Sequence, residues 1–149
     1  MRAVVQRVSQ AQVTADADVV GRTGPGLLVY AAAAPDDGDA DLAYIAEKVA
    51  HLRIFPDAEG KTNRSVIDVG GAVLLVSAFT VQADARKGRR PSFDASAAGE
   101  LAEPLITKLV DAVRGYGVLV QTGRFAAHMH VAAVNDGPIC VLLDSRRTF

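Results

Sequence analysis

Residues capable of chemistry are concentrated in three segments of the sequence. The first is Ser77-Ala78-Phe79-Thr80, which places two hydroxyl groups beside an aromatic ring. The second, residues 86–93, contains four cationic side chains within five positions. The third, residues 128–138, combines two histidines with the stretch Asn135-Asp136-Gly137-Pro138. These three are the candidate functional segments.

The cationic run Arg86-Lys87-Gly88-Arg89-Arg90 has two interpretations. Lys and Arg side chains on a loop can follow a phosphate backbone, although they carry no base specificity. The ordinary alternative is a loop that keeps the protein in solution. The net charge is −1, so any contact with RNA must be local. Arg146 and Arg147 form a second small cluster.

The third segment reads as a strand followed by a turn. Strand alternation places one set of side chains on one face and the other set on the opposite face. The sets are Met129, Val131, Ala133 and Asn135, and His128, His130, Ala132 and Val134. Residues 135–138 are ordinary turn residues, and Gly24-Pro25 shows that the dipeptide is not unique.

The same residues suggest two other kinds of site, a cysteine hydrolase and a metal site. Cys140 with His128 or His130 would make a cysteine hydrolase, but an apolar run around Cys140 favours a buried, inert thiol. His128 and His130 leave one strand face and could bind a metal, yet a third ligand is not apparent. His51 lies on a predicted helix and is not expected nearby, so no metal is predicted.

The composition describes an ordinary packed domain. Of 149 residues, 50% are hydrophobic and 22% are charged, so a core is available and disorder is not expected. No apolar run reaches the roughly 18 residues of a membrane span, and the N-terminus lacks a secretory pattern. A single cysteine, Cys140, fits a reducing compartment, so we expect a cytoplasmic location. No glycine-rich phosphate loop is present, so no nucleotide cofactor is indicated.

Periodicity predicts about eight short strands and two helices. The predicted strands are residues 3–8, 12–14, 19–21, 27–33, 72–76, 118–120, 129–134 and 139–143. Leu42, Ile45, Val49 and Leu52 form the apolar face of a first helix that begins among four aspartates and ends near Pro56. A second helix over residues 98–114 turns Leu101, Leu105, Leu109, Ala112 and Val113 inward. We therefore expect one α/β domain over residues 1–149, with a mixed, largely antiparallel sheet or barrel-like sandwich.

Several segments together are similar to one enzyme family. They are Met1-Arg2-Ala3-Val4-Val5-Gln6-Arg7-Val8, Gly24-Pro25-Gly26-Leu27-Leu28-Val29, Lys87-Gly88-Arg89-Arg90-Pro91-Ser92-Phe93 and Asn135-Asp136-Gly137-Pro138. In this order and spacing they resemble the D-aminoacyl-tRNA deacylases. The resemblance runs from Met1 to about Ser145.

The resemblance implies a homodimer with its active site near the subunit interface. The family's Ser-Gln-Phe-Thr motif, here Ser77-Ala78-Phe79-Thr80, receives the tRNA 3′-terminal adenosine and its aminoacyl ester. Gly137-Pro138 matches a cis Gly-Pro motif that reaches into the partner's pocket. Arg7 matches the arginine that fixes this motif, and Met129 and Asn135 match pocket positions.

The resemblance also implies the reaction. Gly-Pro carbonyls close to the substrate α-carbon would leave room for hydrogen but not for a side chain, so D-amino acids and glycine would be accepted. Backbone amides around Phe79 and Thr80 would stabilise the oxyanion, and the terminal 2′-hydroxyl would assist water. Lys87, Arg89 and Arg90 would contact tRNA. The expected partners are tRNA carrying a D-amino acid or glycine and a second copy of the chain, without DNA or membrane.

Two positions depart from the family pattern. Ala78 replaces the usual Gln, and Cys140 replaces the usual Thr shortly after Gly-Pro. Because Ala78 has no side-chain amide and a thiol is a weaker hydrogen-bond donor than a hydroxyl, we expect reduced or altered activity. The alternative is a non-catalytic tRNA-binding homologue, or a DNA-binding module, that uses residues 86–90 and releases no amino acid.

Overall fold

The computed structural model describes residues 1–149 and contains eight strands, two α-helices and one 3₁₀ turn at Phe79–Gln82. The strands are β1 (Arg2–Ala15), β2 (Asp18–Thr23), β3 (Gly26–Ala32), β4 (Phe55–Pro56), β5 (Thr62–Arg64), β6 (Ala72–Ser77), β7 (Leu119–Thr122) and β8 (Met129–Asp144). The helices are α1 (Asp39–His51) and α2 (Gly99–Gly115).

Six strands form one mixed sheet. Its order is β2-β1-β3-β6-β7, and β8 pairs with β1. The pairings of β1 with β2, β3 and β8 are antiparallel, whereas β3–β6 and β6–β7 are parallel. Each parallel pair is joined through a helix, as a parallel connection requires. The predicted fold class, a small α/β domain with a mixed, barrel-like sheet, is confirmed.

The sheet nearly closes where β2 approaches β7. A Cβ added to Gly21 would clash with the carbonyl oxygen of Thr122, so a side chain there would push the two strands apart. The Arg22 amide donates to the Gln121 side-chain oxygen at 2.8 Å across the same gap. A glycine at this point therefore permits the barrel-like shape.

Both helices pack on the main core. In α1 the predicted Leu42, Ile45 and Val49 are buried, but the helix ends at His51, before Leu52 and Pro56. Neither helix combines the length and the hydropathy that crossing a bilayer demands.

The predicted inward face of α2 was wrong at its first turn. Its buried residues are Ile106, Leu109, Val110 and Val113, and this stripe continues backward to the half-buried Ala102. Leu101 lies beside the stripe and is 54% exposed. Pro104 lies in the second turn of the helix.

Two long strands replace four short predicted ones. Residues 3–8 and 12–14 belong to the continuous β1, and residues 129–134 and 139–143 belong to the continuous β8. The turn predicted at residues 135–138 is wrong, because pairing with β1 on both sides keeps this stretch within β8. Gln6 pairs with Cys140 and Val8 with Asn135, so four residues of β8 oppose Arg7 alone. The result is a bulge, residues 136–139. The short β4–β5 hairpin was not predicted.

A buried ionic cluster ties the two ends of the chain together. Asp37 accepts from the Met1 ammonium group at 2.6 Å and from the Ala34 amide at 2.6 Å, so it lies before α1 rather than in its first turn. Arg146 pairs with Asp36 and Asp37. The second basic cluster is thus partly engaged within the chain.

Candidate active site

An apolar cleft of about 430 Å³ lies where β6 meets the first turn of α2. It brings together four residues of the first candidate segment and Met129 from β8. Its other lining residues, which are mostly small or aromatic, were not predicted from the sequence. The lining residues are Ser77, Ala78, Phe79, Thr80, Ala97, Gly99, Ala102, Phe125, Ala126, Ala127 and Met129.

The chain at the end of β6 changes direction beside this cleft. β6 is an apolar strand whose last residue is Ser77, and the Ala78 amide still donates to Ala31 at 2.9 Å. The chain then enters the 3₁₀ turn, in which the Val81 amide donates to the Ala78 carbonyl, so the N–H groups of Phe79 and Thr80 lie ahead of this first bond of the turn. First-turn amides lack an internal partner by geometry, so they remain available to a negatively charged oxygen.

Two further contacts hold this turn in place. The buried Gln82 side chain donates to the Ala32 carbonyl at 3.3 Å, and the Ser96 hydroxyl donates to the Phe79 carbonyl at 2.8 Å. Neither residue was predicted as functional. A glutamine soon after an apolar strand was the available signal for Gln82, whereas nothing local indicated Ser96.

The Gly137-Pro138 peptide bond is cis and lies in the bulge of β8. Both residues are exposed in the single chain. Gly137 has φ of +129°, and an added Cβ would lie 2.9 Å from the Ile139 amide nitrogen and 3.3 Å from an Arg7 guanidinium nitrogen. The backbone here therefore accepts glycine and crowds any larger residue.

Arg7 and Asn135 brace the bulge from beneath. Arg7 is 9% exposed, and it donates from Nε to the Asp136 carbonyl at 3.2 Å and from Nη1 to the Ile54 carbonyl at 2.6 Å. Its Nε also lies 3.1 Å from the Asp136 carboxylate. Asn135 donates from Nδ2 to the carbonyls of Arg7 and Ile139 at 3.1 and 3.0 Å. Asn135 does not line the cleft that contains Met129.

The predicted site residues therefore form two separate groups. Ser77, Ala78, Phe79, Thr80 and Met129 line the cleft, whereas Arg7, Asn135, Gly137, Pro138 and Cys140 surround the bulge. Met129 and Gly137 are eight residues apart on one extended strand, a separation of about 27 Å. One chain therefore does not bring the bulge to its own cleft.

The basic loop is exposed and closed at its base. Asp84 and Ser92 form an isolated backbone bridge, and Arg86 pairs with Asp84 at 2.6 Å. Hydrogen bonds from Arg86 lower the pKa of Asp84 and raise the pKa of Arg86 itself. Of the remaining cations, Lys87, Arg89 and Arg90 enter no ion pair, so their charge is available to a ligand.

The structure does not assemble the residues that the cysteine hydrolase or the metal site would need. Cys140 is exposed rather than buried, because it lies on the outer face of β8 opposite Gln6, whose amide is 4.0 Å from its sulfur. His130 is ten residues away on the same strand, roughly 30 Å along an extended chain. The rings of His128 and His130 are 5.0 Å apart, and no group of three metal-binding side chains gathers around them.

The fold and the cleft define a small single-domain α/β enzyme. A family model described as D-Tyr-tRNA(Tyr) deacylase matches residues 4–144, and the chain belongs to this family. A D-aminoacyl-tRNA deacylase of Symbiobacterium thermophilum is 54% identical over 149 residues, covering 100% of this chain and 99% of the relative. One of Syntrophotalea carbinolica is 52% identical, and both chains are covered completely.

Two solved structures share the fold. A structure named c-Myc DNA Unwinding Element Binding Protein superposes with a TM-score of 0.91 at 34% identity, covering 97% of this chain and 98% of that one. A probable eukaryotic D-amino acid tRNA deacylase superposes with a TM-score of 0.82 at 20% identity, covering 96% and 98%. At that identity the second likeness concerns the fold alone.

Proposed function

We propose that this protein hydrolyses the ester bond of D-aminoacyl-tRNA and releases the free D-amino acid and tRNA. The observation that carries the proposal is the cleft lined by Ser77, Phe79 and Thr80, beside the first turn of a 3₁₀ helix, in a chain of the deacylase family. The relatives that cover the whole chain bear the name of this activity.

The chemistry needs little from side chains. Water adds to the ester carbonyl carbon, the carbonyl oxygen becomes negatively charged, and the amides of Phe79 and Thr80 donate to it. The carbon–oxygen bond to the terminal ribose then breaks, and the ribose oxygen leaves with a proton. A donor of this kind contributes about 2.7–4 kcal/mol in other enzymes. Ala78 is compatible with this chemistry because the donors belong to the backbone, and the terminal 2′-hydroxyl assists the water.

Selection against L-amino acids comes from the Gly137-Pro138 bulge of a second subunit. The bulge is exposed and about 27 Å from the cleft of its own chain, which supports action in trans. Its carbonyls, beside the substrate α-carbon, exclude an L side chain and tolerate hydrogen. The same logic admits glycine, so glycyl-tRNA mischarged on an alanine tRNA is a second substrate. Met129 lines the receiving cleft, and Arg7 and Asn135 hold the donated bulge.

The proposed homodimer has two-fold symmetry. In an isologous interface, contact of residue 137 with the partner's region around residue 129 implies the reverse contact. If the two β8 strands cross antiparallel, their midpoint is residue 133. Ala132, Ala133 and Val134 are exposed there, beside a cleft of about 470 Å³. Thr23 also lines this cleft, and its buried hydroxyl has no partner within the chain.

The tRNA reaches the cleft along the basic loop. Lys87, Arg89 and Arg90 are exposed and unpaired, so they can neutralise phosphates without reading sequence. Translation supplies the substrate in the cytoplasm. The single free thiol of Cys140 remains reduced in that compartment.

The decisive assay uses matched substrates. Tyrosine tRNA charged with D-Tyr or with L-Tyr and alanine tRNA charged with glycine are each incubated with the purified protein. We expect release of D-Tyr and glycine and retention of L-Tyr. A protein that leaves D-Tyr-tRNA intact at micromolar concentration would refute the proposal.

A nucleic-acid-binding protein without turnover is the second candidate. The exposed cations support it, as does the name of the similar structure c-Myc DNA Unwinding Element Binding Protein. Such a protein would bind charged and uncharged tRNA alike. Replacing Arg89 and Arg90 would weaken binding and reduce its salt dependence, with no release of amino acid to lose. In the enzyme the same replacement mainly raises KM.

A further inference from the structure

Two exposed phenylalanines form a pair at the rim of the cleft. Phe79 is 58% exposed and Phe93 is 39% exposed. Their ring centroids are 5.1 Å apart with an interplanar angle of 76°, an edge-to-face arrangement. Large apolar side chains at such exposure lose contact with water only when a ligand covers them.

The pair connects the main cleft with a second one. Phe79 lines the first cleft, and Phe93 lines a neighbouring cleft of about 410 Å³ with Arg90, Pro91, Ser92 and Asp94. The two rings therefore bridge two concave surfaces. Arg90 in the second cleft is exposed and free of ion pairs.

Local hydrogen bonds hold this surface in shape. The Phe79 carbonyl accepts from Ser96, and the Asp84–Ser92 bridge closes the base of the loop. The Ser92 hydroxyl donates to Asp94 at 2.7 Å, and the Asp94 amide donates back to Ser92 at 3.2 Å. A platform held in this way loses little conformational entropy on binding.

We propose that Phe93 and Arg90 form a subsite for the nucleotide that precedes the terminal one in a single-stranded RNA 3′ end. The base stacks on the Phe93 ring, and Arg90 neutralises the phosphate that joins the two nucleotides. Aromatic platforms beside cations are the usual way in which proteins bind single strands without base specificity. Asp94 repels phosphate, so the backbone passes on the Arg90 side.

This subsite rests on the proposed function, and its test separates the two. The substrates are D-Tyr-tRNA and the D-tyrosyl ester of adenosine, which lacks the preceding nucleotide. The variants are Phe93→Leu, which removes the ring, and Phe93→Tyr, which keeps it. Phe149→Leu is the matched control, because Phe149 is a 67% exposed aromatic residue packed over Arg2, outside both clefts.

We expect Phe93→Leu to raise KM for D-Tyr-tRNA about five-fold more than KM for the adenosine ester. Phe93→Tyr should restore the wild-type ratio, and Phe149→Leu should not change it. Equal changes with both substrates would show that Phe93 only supports Phe79, and no change would show that it contacts nothing. Either result overturns the subsite.

If the wild-type protein cleaves neither substrate, the proposed function fails, but a binding measurement still tests the subsite. Fluorescence anisotropy then measures the Kd for a labelled single-stranded RNA that ends in CCA. A rise of about five-fold in Phe93→Leu, reversed in Phe93→Tyr, supports the subsite. Equal Kd values for wild type and Phe93→Leu overturn it.

Discussion

Backbone amides at the end of β6 carry the proposed chemistry, which does not require a side-chain amide at position 78. Ala78, which departs from the family pattern, lies between Ser77 and Phe79, yet the proposed donors are the N–H groups of Phe79 and Thr80, two residues that line the cleft. A side-chain substitution leaves these donors in place. At the scale of one residue, the sharpest test therefore removes an N–H group and not a side chain.

Phe79→Pro removes one donor and Phe79→Ala keeps it. Phe79 is the first residue of the 3₁₀ turn, and Ala78 before it has φ −147° and ψ 88°, outside the α region that a following proline disfavours. We expect kcat for D-Tyr-tRNA to fall about 100-fold to 1,000-fold further in Phe79→Pro than in Phe79→Ala. Equal kcat values in the two variants would exclude this amide from the reaction.

Gly137 is the second residue at which we expect backbone conformation to control deacylation. In Gly137→Ala the new Cβ meets Ile139 at 2.9 Å with φ at +129°, so the bulge must shift. We expect kcat/KM for D-Tyr-tRNA to fall about ten-fold or more, since small displacements of positioning groups are costly.

The matched control for this change is Gly24→Ala. Gly24 also precedes a proline, but an added Cβ there meets nothing within 4 Å. Its kcat/KM should equal that of the wild type. The idea that the bulge acts in the reaction would be abandoned if both alanine variants retained full activity with an unchanged D-to-L ratio.

Among the elements, β8 includes residues that the sequence predicted to lie in a strand and in the turn after it. It contributes Met129 to the cleft and carries the Gly-Pro bulge at a distance. Its centre, Ala132 to Val134, is exposed, although it pairs with β1. An exposed apolar stretch on an edge strand is a surface that a second subunit can cover.

Val134→Glu tests this interface. Val134 is 51% exposed, and a carboxylate there would be buried against its symmetry mate in the proposed dimer. We expect sedimentation velocity to show a shift from dimer to monomer, with loss of deacylation. Leu119→Glu, at a 67% exposed position of β7, should leave the dimer intact. A Val134→Glu protein that sediments like the wild type would place the interface elsewhere.

At the scale of the whole molecule, action in trans has a distinctive consequence. A heterodimer of Phe79→Pro and Gly137→Ala subunits has one site with both defects and one site with none. Mixing and reassociating equal amounts of the two weakly active variants should therefore restore about a quarter of the wild-type sites. If each chain used its own bulge, mixing would restore nothing, and measured D-Tyr release would stay at the sum of the separate variants.

The helices, most strands and the candidate segments could be predicted from the sequence, because these depend on local periodicity and residue type. Ile45 and Val49 are buried as their spacing predicts, and Ser77 through Thr80 line one cleft. Tertiary structure alone decided that residues 135–138 stay within β8, because their pairing with β1 overrides their turn preference.

Long-range packing also decided what the separated segments do. Phe93 packs against Phe79, and Arg7 lies beneath the bulge. Gly137 lies about 27 Å from Met129 along β8. The first two contacts join residues that are distant in sequence. The third distance depends on the length of β8, which its pairing with β1 determines. No local pattern encodes them, since they arise only when β1, β3 and β8 assemble.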